Sequence, residues 1–204
     1  MISRIRAPGQ TRPRGPPRPR RGGDVRIGRR TGEGVHRGVL EADLRRRRAD
    51  LPPDRGLHRL PGANGPSCGG QPAVPNNAFY CPAGHFIAYD ENWMRELDER
   101  MGDGSIYVII PHEFGHAVQA QLNTSSQLNV ELELQADCYA GGTLGALVRG
   151  GALLAEDGDE NELLINLAAA GDPTDDWLRP DAHGTAEQRQ AVFVRGYNEG
   201  TDVC

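Results

Sequence analysis

Residues 67–204 predict a mainly helical domain with a small β-hairpin, an α+β arrangement. Three features carry that reading. Two runs rich in aromatic and β-branched residues flank a short "PAG" turn, and several stretches with helical apolar spacing follow. The last of those stretches opens with "TAEQ", a helix-start signature.

Along the chain, "NAFYC" and "HFIAYD" read as the arms of the hairpin, and His85 beside the turn reads as a turn residue rather than a ligand. Asp90 supplies an N-cap for a helix through "ENWMRELDERM", which ends near Gly102. "SIYVII" is an apolar run that can open the next helix or form a strand. A helix containing "HEFGHAVQAQL" runs to about Leu122, and "NTSSQ" is a polar turn. From about Val130 to Val148 a long helical pattern includes "AGGTLGA", whose small residues let another helix come close. "ENELLINLAAA" is a further helix, closed by Gly171 and Pro173. Thr185, three residues before Gln188, forms a capping box for the last helix.

Charge divides the chain in two. Residues 1–60 hold 17 arginines against 6 acidic residues, a balance of +11, and residues 61–204 hold 6 against 22, a balance of −16. There is no lysine. Stretches such as "TRPRGPPRPRRGGD" carry too few apolar residues to offset the entropy of ordering them. Residues 1–66 are therefore expected to be a disordered segment rich in arginine, proline and glycine, a solvated tail before a domain over 67–204. Two other readings stand beside that one: an arm for nucleic acid or anionic lipid, or a misassigned start in GC-rich DNA. The acidic folded part is expected to bind no nucleic acid.

No run approaches the roughly 20 apolar residues of a membrane span, and no signal-peptide core follows the first arginines. Read literally, this is a soluble chain without an export signal; membrane anchoring enters only if the true N-terminus differs. The cysteines, Cys68, Cys81, Cys138 and Cys204, show no CxxC spacing and admit three disulfide pairings. Cys68–Cys81 with Cys138–Cys204 is the preferred one, because it ties the Pro-rich entry segment and the C-terminus to the core. Buried free thiols are the alternative, and oxidised pairs point outside the cytoplasm.

The chemistry centres on "HEFGH". A helix turns about 100° per residue, so His112 and His116 share a face and can ligate one ion. Glu113 lies beside them, within reach of a metal-activated water. Phe114, Val118 and Leu122 recur every fourth residue on another face and can hold the helix in a core. Catalytic zinc takes three protein ligands, and "VELELQADCYAG" offers Glu131, Glu133 and Asp137 as the third. Glu133 and Asp137 share a face, whereas Glu131 points about 200° away from Glu133. Glu133 is thus the expected ligand and Asp137 the acceptor that orients one histidine. The competing reading leaves these acids as solvated helix residues.

HExxH followed by a helix with ExxxD is the gluzincin pattern. More narrowly, "NAFYCP", "HEFGHAVQ", "LELQADCYAG" and "HGTAEQRQAVFVRGYNEG" resemble, in order, the bacterial neutral zinc metallopeptidases over about residues 68–204. The resemblance implies a gluzincin-like metallopeptidase domain holding Zn2+, a peptide or protein substrate and, often, an N-terminal membrane anchor. Together with the possible disulfides it favours an extracytoplasmic or cell-surface location.

Zinc would activate a water and polarise the scissile carbonyl, with Glu113 as general base. His183 is the best remaining candidate to stabilise the oxyanion, since His36 and His58 lie in the tail; its other reading is to structure the turn before the last helix. Pro111 departs from the helix-compatible residue usual before the first histidine, so the helix is expected either to begin at Pro111 or to kink there. Two alternatives compete with the enzyme: a metal-free relative acting as a binding module and, more distantly, nucleic-acid binding through the arginine arm.

Overall fold

Strand β1 (Leu57–Leu60), strand β2 (Ala78–Cys81) and strand β3 (Phe86–Asp90) form a sheet in the order β1-β3-β2. The structure, a computed structural model, describes residues 57–60 and 66–204. β2 and β3 are the expected hairpin, antiparallel with Tyr80 opposite Ile87. His85 takes a left-handed conformation in the turn, φ 49°, and its Nδ1 lies 2.7 Å from the Tyr80 hydroxyl.

β1 corrects the sequence reading at four residues. "LHRL" lies in the segment expected to be unfolded, yet it pairs in parallel with β3, Leu57 opposite Ile87. The run is too short and too weakly apolar to declare itself; the backbone groups on the second edge of β3 supply its hydrogen bonds. The expectations for residues 1–56 and 61–65 lie outside the described residues.

Helix α1 (Glu91–Met101) starts where Asp90 accepts hydrogen bonds from the Asn92 and Trp93 amides, at 3.0 and 3.3 Å. Helix α2 (Gly104–Leu122) contains both HExxH histidines. "SIYVII" therefore opens this helix, and Pro111 is buried in its interior rather than at its start. The proline forfeits the bond an amide would donate to the Tyr107 carbonyl, while the apolar residues Val108 and Ile110 bury the turn that precedes it.

Helix α3 (Asn129–Arg149) packs against α2 on one side and helix α5 (Ala186–Glu199) on the other. Helix α4 (Asp159–Ala169) covers α2 and α5. Thr185 and Gln188 close the capping box of α5 in both directions. The main core gathers Leu144, Leu147, Leu167, Phe193 and Val194, all buried.

Glycine decides how closely these helices meet. A Cβ on Gly141 would come within 2.0 Å of the Phe193 carbonyl oxygen, and one on Gly196 within 2.0 Å of that of Cys138. The small residues of "AGGTLGA" thus admit α5, as their composition suggests. Gly115 does the same between α2 and α3: a Cβ there would lie 2.7 Å from the Ala136 carbonyl oxygen. The cysteines pair as Cys68–Cys81 and Cys138–Cys204. Among the described residues no helix is long and apolar enough to cross a membrane.

Candidate metal centre

The close contact at Gly115 sets the third helix against the histidines. His112 Nε2 lies 3.1 Å from His116 Nε2 and 3.2 Å from a carboxylate oxygen of Glu133, whose other oxygen is 3.5 Å from His116 Nε2. One donor atom from each of the three residues falls within 4.8 Å of the others. Glu131 is exposed, as its angular separation from Glu133 requires.

Each histidine is held from behind. His112 Nδ1 lies 2.8 Å from Asp137 Oδ1, and Asp137 is fully buried. Arg189 grips the same carboxylate with two hydrogen bonds, Nε to Oδ2 at 2.7 Å and Nη2 to Oδ1 at 2.9 Å. A third arginine nitrogen donates to the Ala170 carbonyl. His116 Nδ1 faces Gln119 Oε1 at 2.9 Å.

Burial and charge compete at every group. Burial pushes the Asp137 carboxyl up, but Arg189 and His112 outweigh it and hold it below the usual range. Burial works against the Glu133 carboxylate too, and the hydrogen bonds from both histidines keep it far down. At His112 burial opposes the charged form, yet Asp137, Glu133 and Glu113 together raise its pKa to about 10. Glu113 is the exception: burial raises its carboxyl, and His112, His116 and the Tyr80 amide only moderate the rise. That amide donates to Glu113 Oε2 at 2.7 Å.

The donor set suits a divalent cation. A bound cation would replace the protons that these carboxylates hold on the imidazoles; with those protons gone, Glu113, Glu133 and Asp137 outnumber Arg189 by two charges. Two imidazole nitrogens and one carboxylate are also the donors that zinc prefers in catalytic sites. His112, His116 and Glu133 could hold a metal ion.

These residues line a cleft of about 560 Å³ together with Ala78, Phe79, Trp93, Met101 and His183. His183 is exposed at its rim, and its backbone amide donates to Asp172 at 2.6 Å, which ties down the turn before α5. Both readings of His183 are thus compatible with its position. His85 is in the hairpin turn, bound to Tyr80.

The whole of the helical domain matches one family model, described as "Putative neutral zinc metallopeptidase", over residues 62–204. The chain belongs to this family. Among curated proteins, the chain is similar to the uncharacterized protein YpfJ of Escherichia coli K12, 33% identical over 147 residues, 60% of this chain and 50% of that protein. It is also similar to the uncharacterized protein Rv2575 of Mycobacterium tuberculosis H37Rv, 31% identical over 156 residues, 62% of this chain and 53% of that protein. The chain spans about half the length of these relatives. No solved structure matches it.

Sequence reasoning passed over three contributors to the centre. Arg189 carried a readable signal: with Phe193 and Tyr197 it forms an every-fourth-residue stripe, and a charge on a buried stripe needs a buried partner. Gln119, three residues after His116 on the same helix face, was also within reach of sequence reasoning. The Tyr80 contact uses a backbone amide, which no side-chain motif records.

Proposed function

We propose that this chain is a zinc-dependent metallopeptidase that hydrolyses peptide bonds in a peptide or protein substrate. One observation carries the reading: His112, His116 and Glu133 converge on one point with the Glu113 carboxylate beside it, in a cleft bordered by a strand edge. One Zn2+ per chain is the expected complement. When bound, zinc supplies Lewis acidity that makes a water acidic and polarises a carbonyl.

The chain's own residues do the rest. Tyr80 holds Oε2 of Glu113, so Oε1 is left to accept the proton of the attacking water and return it to the leaving amine. A carboxyl raised by burial is better matched to both transfers than an ordinary glutamate. Asp137, held by Arg189, keeps the proton of His112 on Nδ1 and its lone pair on Nε2. His183, which lines the cleft, is the residue we assign to donate to the developing oxyanion.

The sheet supports a binding mode. Tyr80's amide points away from β3, toward Glu113, and strand geometry alternates, so the amide and carbonyl of Ala78 point the same way. Ala78 lines the cleft. An extended substrate pairing with this edge would run past Glu113.

The test is metal content and peptide hydrolysis by the wild-type chain beside Glu113→Gln and Glu133→Gln. About one zinc per chain, retained in Glu113→Gln but weakened in Glu133→Gln, is expected. Hydrolysis should fall by about 10²–10⁴ in Glu113→Gln. Equal activity in wild type and Glu113→Gln would sink the proposal.

A further inference from the structure

His112 and His116 present Nε2 to the same point, but only His112 is braced by a charge. His116 Nδ1 faces an amide, and which end of that amide it meets is decided elsewhere. Gln119 Nε2 lies 2.7 Å from the Leu132 carbonyl oxygen and 3.0 Å from Gln135 Oε1. A backbone carbonyl can only accept, so Nε2 must face it and Oε1 must face the imidazole. Gln135 is oriented in the same way, because its Nε2 lies 3.0 Å from the Cys204 carbonyl oxygen.

Two backbone carbonyls therefore set the polarity of the whole relay. His116 Nδ1–H donates to Gln119, Gln119 donates to Gln135, and Gln135 donates to Cys204. Turning either amide over would set oxygen against oxygen at Leu132 or Cys204, and Gln119 is buried, where an unmade hydrogen bond is expensive. The far end is anchored covalently, since Cys204 is joined to Cys138 on α3.

We propose that Gln119 and Gln135 are positioning residues of the metal centre, and that the Cys138–Cys204 disulfide, by holding the Cys204 carbonyl in place, fixes the tautomer and ring orientation of His116. With the proton kept on Nδ1, Nε2 offers its lone pair to a cation. Without the anchor Gln135 is free to turn, Gln119 loses one of the partners that fix its amide, and the imidazole can place its proton on Nε2 instead. Metal affinity then depends on a disulfide that touches neither ligand nor substrate. The consequence for affinity rests on the reading of His116 as a ligand; the Nδ1–H hydrogen bond to Gln119 is a property of the metal-free chain, where Glu133 also faces Nε2.

The experiment uses the full chain and four variants. Gln119→Leu removes the acceptor, Gln135→Leu breaks the relay with both disulfides intact, and Cys138→Ala/Cys204→Ser removes the anchor. Cys68→Ala/Cys81→Ser removes the other disulfide and serves as the control for a general loss of stability. Long-range 1H–15N NMR of the imidazoles reads whether His116 holds a hydrogen-bonded Nδ1–H in metal-free protein, and competition with a chromophoric chelator reads zinc affinity. The first three variants should lose the hydrogen-bonded Nδ1–H of His116 and bind zinc about tenfold more weakly, while the control keeps both.

Gln135→Leu and Cys138→Ala/Cys204→Ser with a wild-type His116 spectrum and zinc affinity within about twofold of wild type would overturn the proposal. So would an equal loss in the control, which would assign the effect to stability alone. A wild-type chain that takes up no zinc would instead refute the metal-centre reading, and the His116 spectra would still decide the relay.

Discussion

Replacing Gly115 with alanine tests how α2 and α3 build the centre. In an isolated helix the change would help, since alanine is favoured over glycine by about 1 kcal/mol. Here the new Cβ would lie 2.7 Å from the carbonyl oxygen and 2.8 Å from the Cα of Ala136, against an ordinary contact of 3.4 Å or more. Both neighbours are backbone, so no rotamer can relieve the clash, and the helices must part by about 0.7 Å along that line. Overpacking of this kind costs about 1–3 kcal/mol. With two backbone clashes the upper end applies, and after the propensity gain about 2 kcal/mol of net destabilisation remains. For a domain of this size that is a Tm lower by roughly 6 °C.

The same displacement carries Glu133 and Asp137 away from the histidines, because both stand on α3 within four residues of Ala136. Thermal unfolding of metal-free protein and zinc affinity by chelator competition should therefore fall together. A Gly115→Ala protein stabilised by about the propensity difference, with unchanged zinc affinity, would refute the close-contact argument.

Three other outcomes follow from the geometry. Arg189→Leu leaves Asp137 buried without its main partner and should destabilise the fold by about 3–5 kcal/mol in urea titrations; Arg189→Leu/Asp137→Leu should recover part of that loss. Asp90 has its carboxyl held low first by the Asn76 amide, with the Trp93 and Asn92 amides adding to it against burial. Its folded pKa lies below the unfolded value of about 3.9, so its contribution is complete above that value and fades as pH falls through the folded one. The stability gap between wild type and Asp90→Ala, measured in urea from neutral to acid pH, should narrow in that window and be constant above it. The two disulfides should differ in weight: closing 66 residues against 13 gives chain-entropy contributions of about 4 and 3 kcal/mol. Guanidinium titrations of the two cysteine-pair variants should rank them in that order.

How much of this was legible depended on how far apart the cooperating groups lie. The hairpin, the Asp90 cap and the Thr185–Gln188 box join residues a few positions apart, and local rules reach that far. The pairing of His112 with His116 is equally local, because helical spacing alone puts both on one face. Glu133 and Asp137 were readable as a pair for the same reason, while their meeting with the histidines needed a close helix contact. Pro111 left two readings open, a helix start or an interior kink, and burial of the apolar turn before it carries α2 back to Gly104, which rules out the start. β1 was missed because a four-residue parallel strand is specified by its partner.

From the sequence alone came the residue types, their helical faces and the family likeness, and these determined which atoms were available for chemistry. Tertiary structure decided which of them meet. Asp137 and Arg189 are 52 residues apart, Tyr80 and Glu113 are 33, and Gln135 and Cys204 are 69. No periodicity spans such distances. These contacts exist because glycines let three helices approach to backbone contact and because a buried polar group must find a partner wherever the chain supplies one.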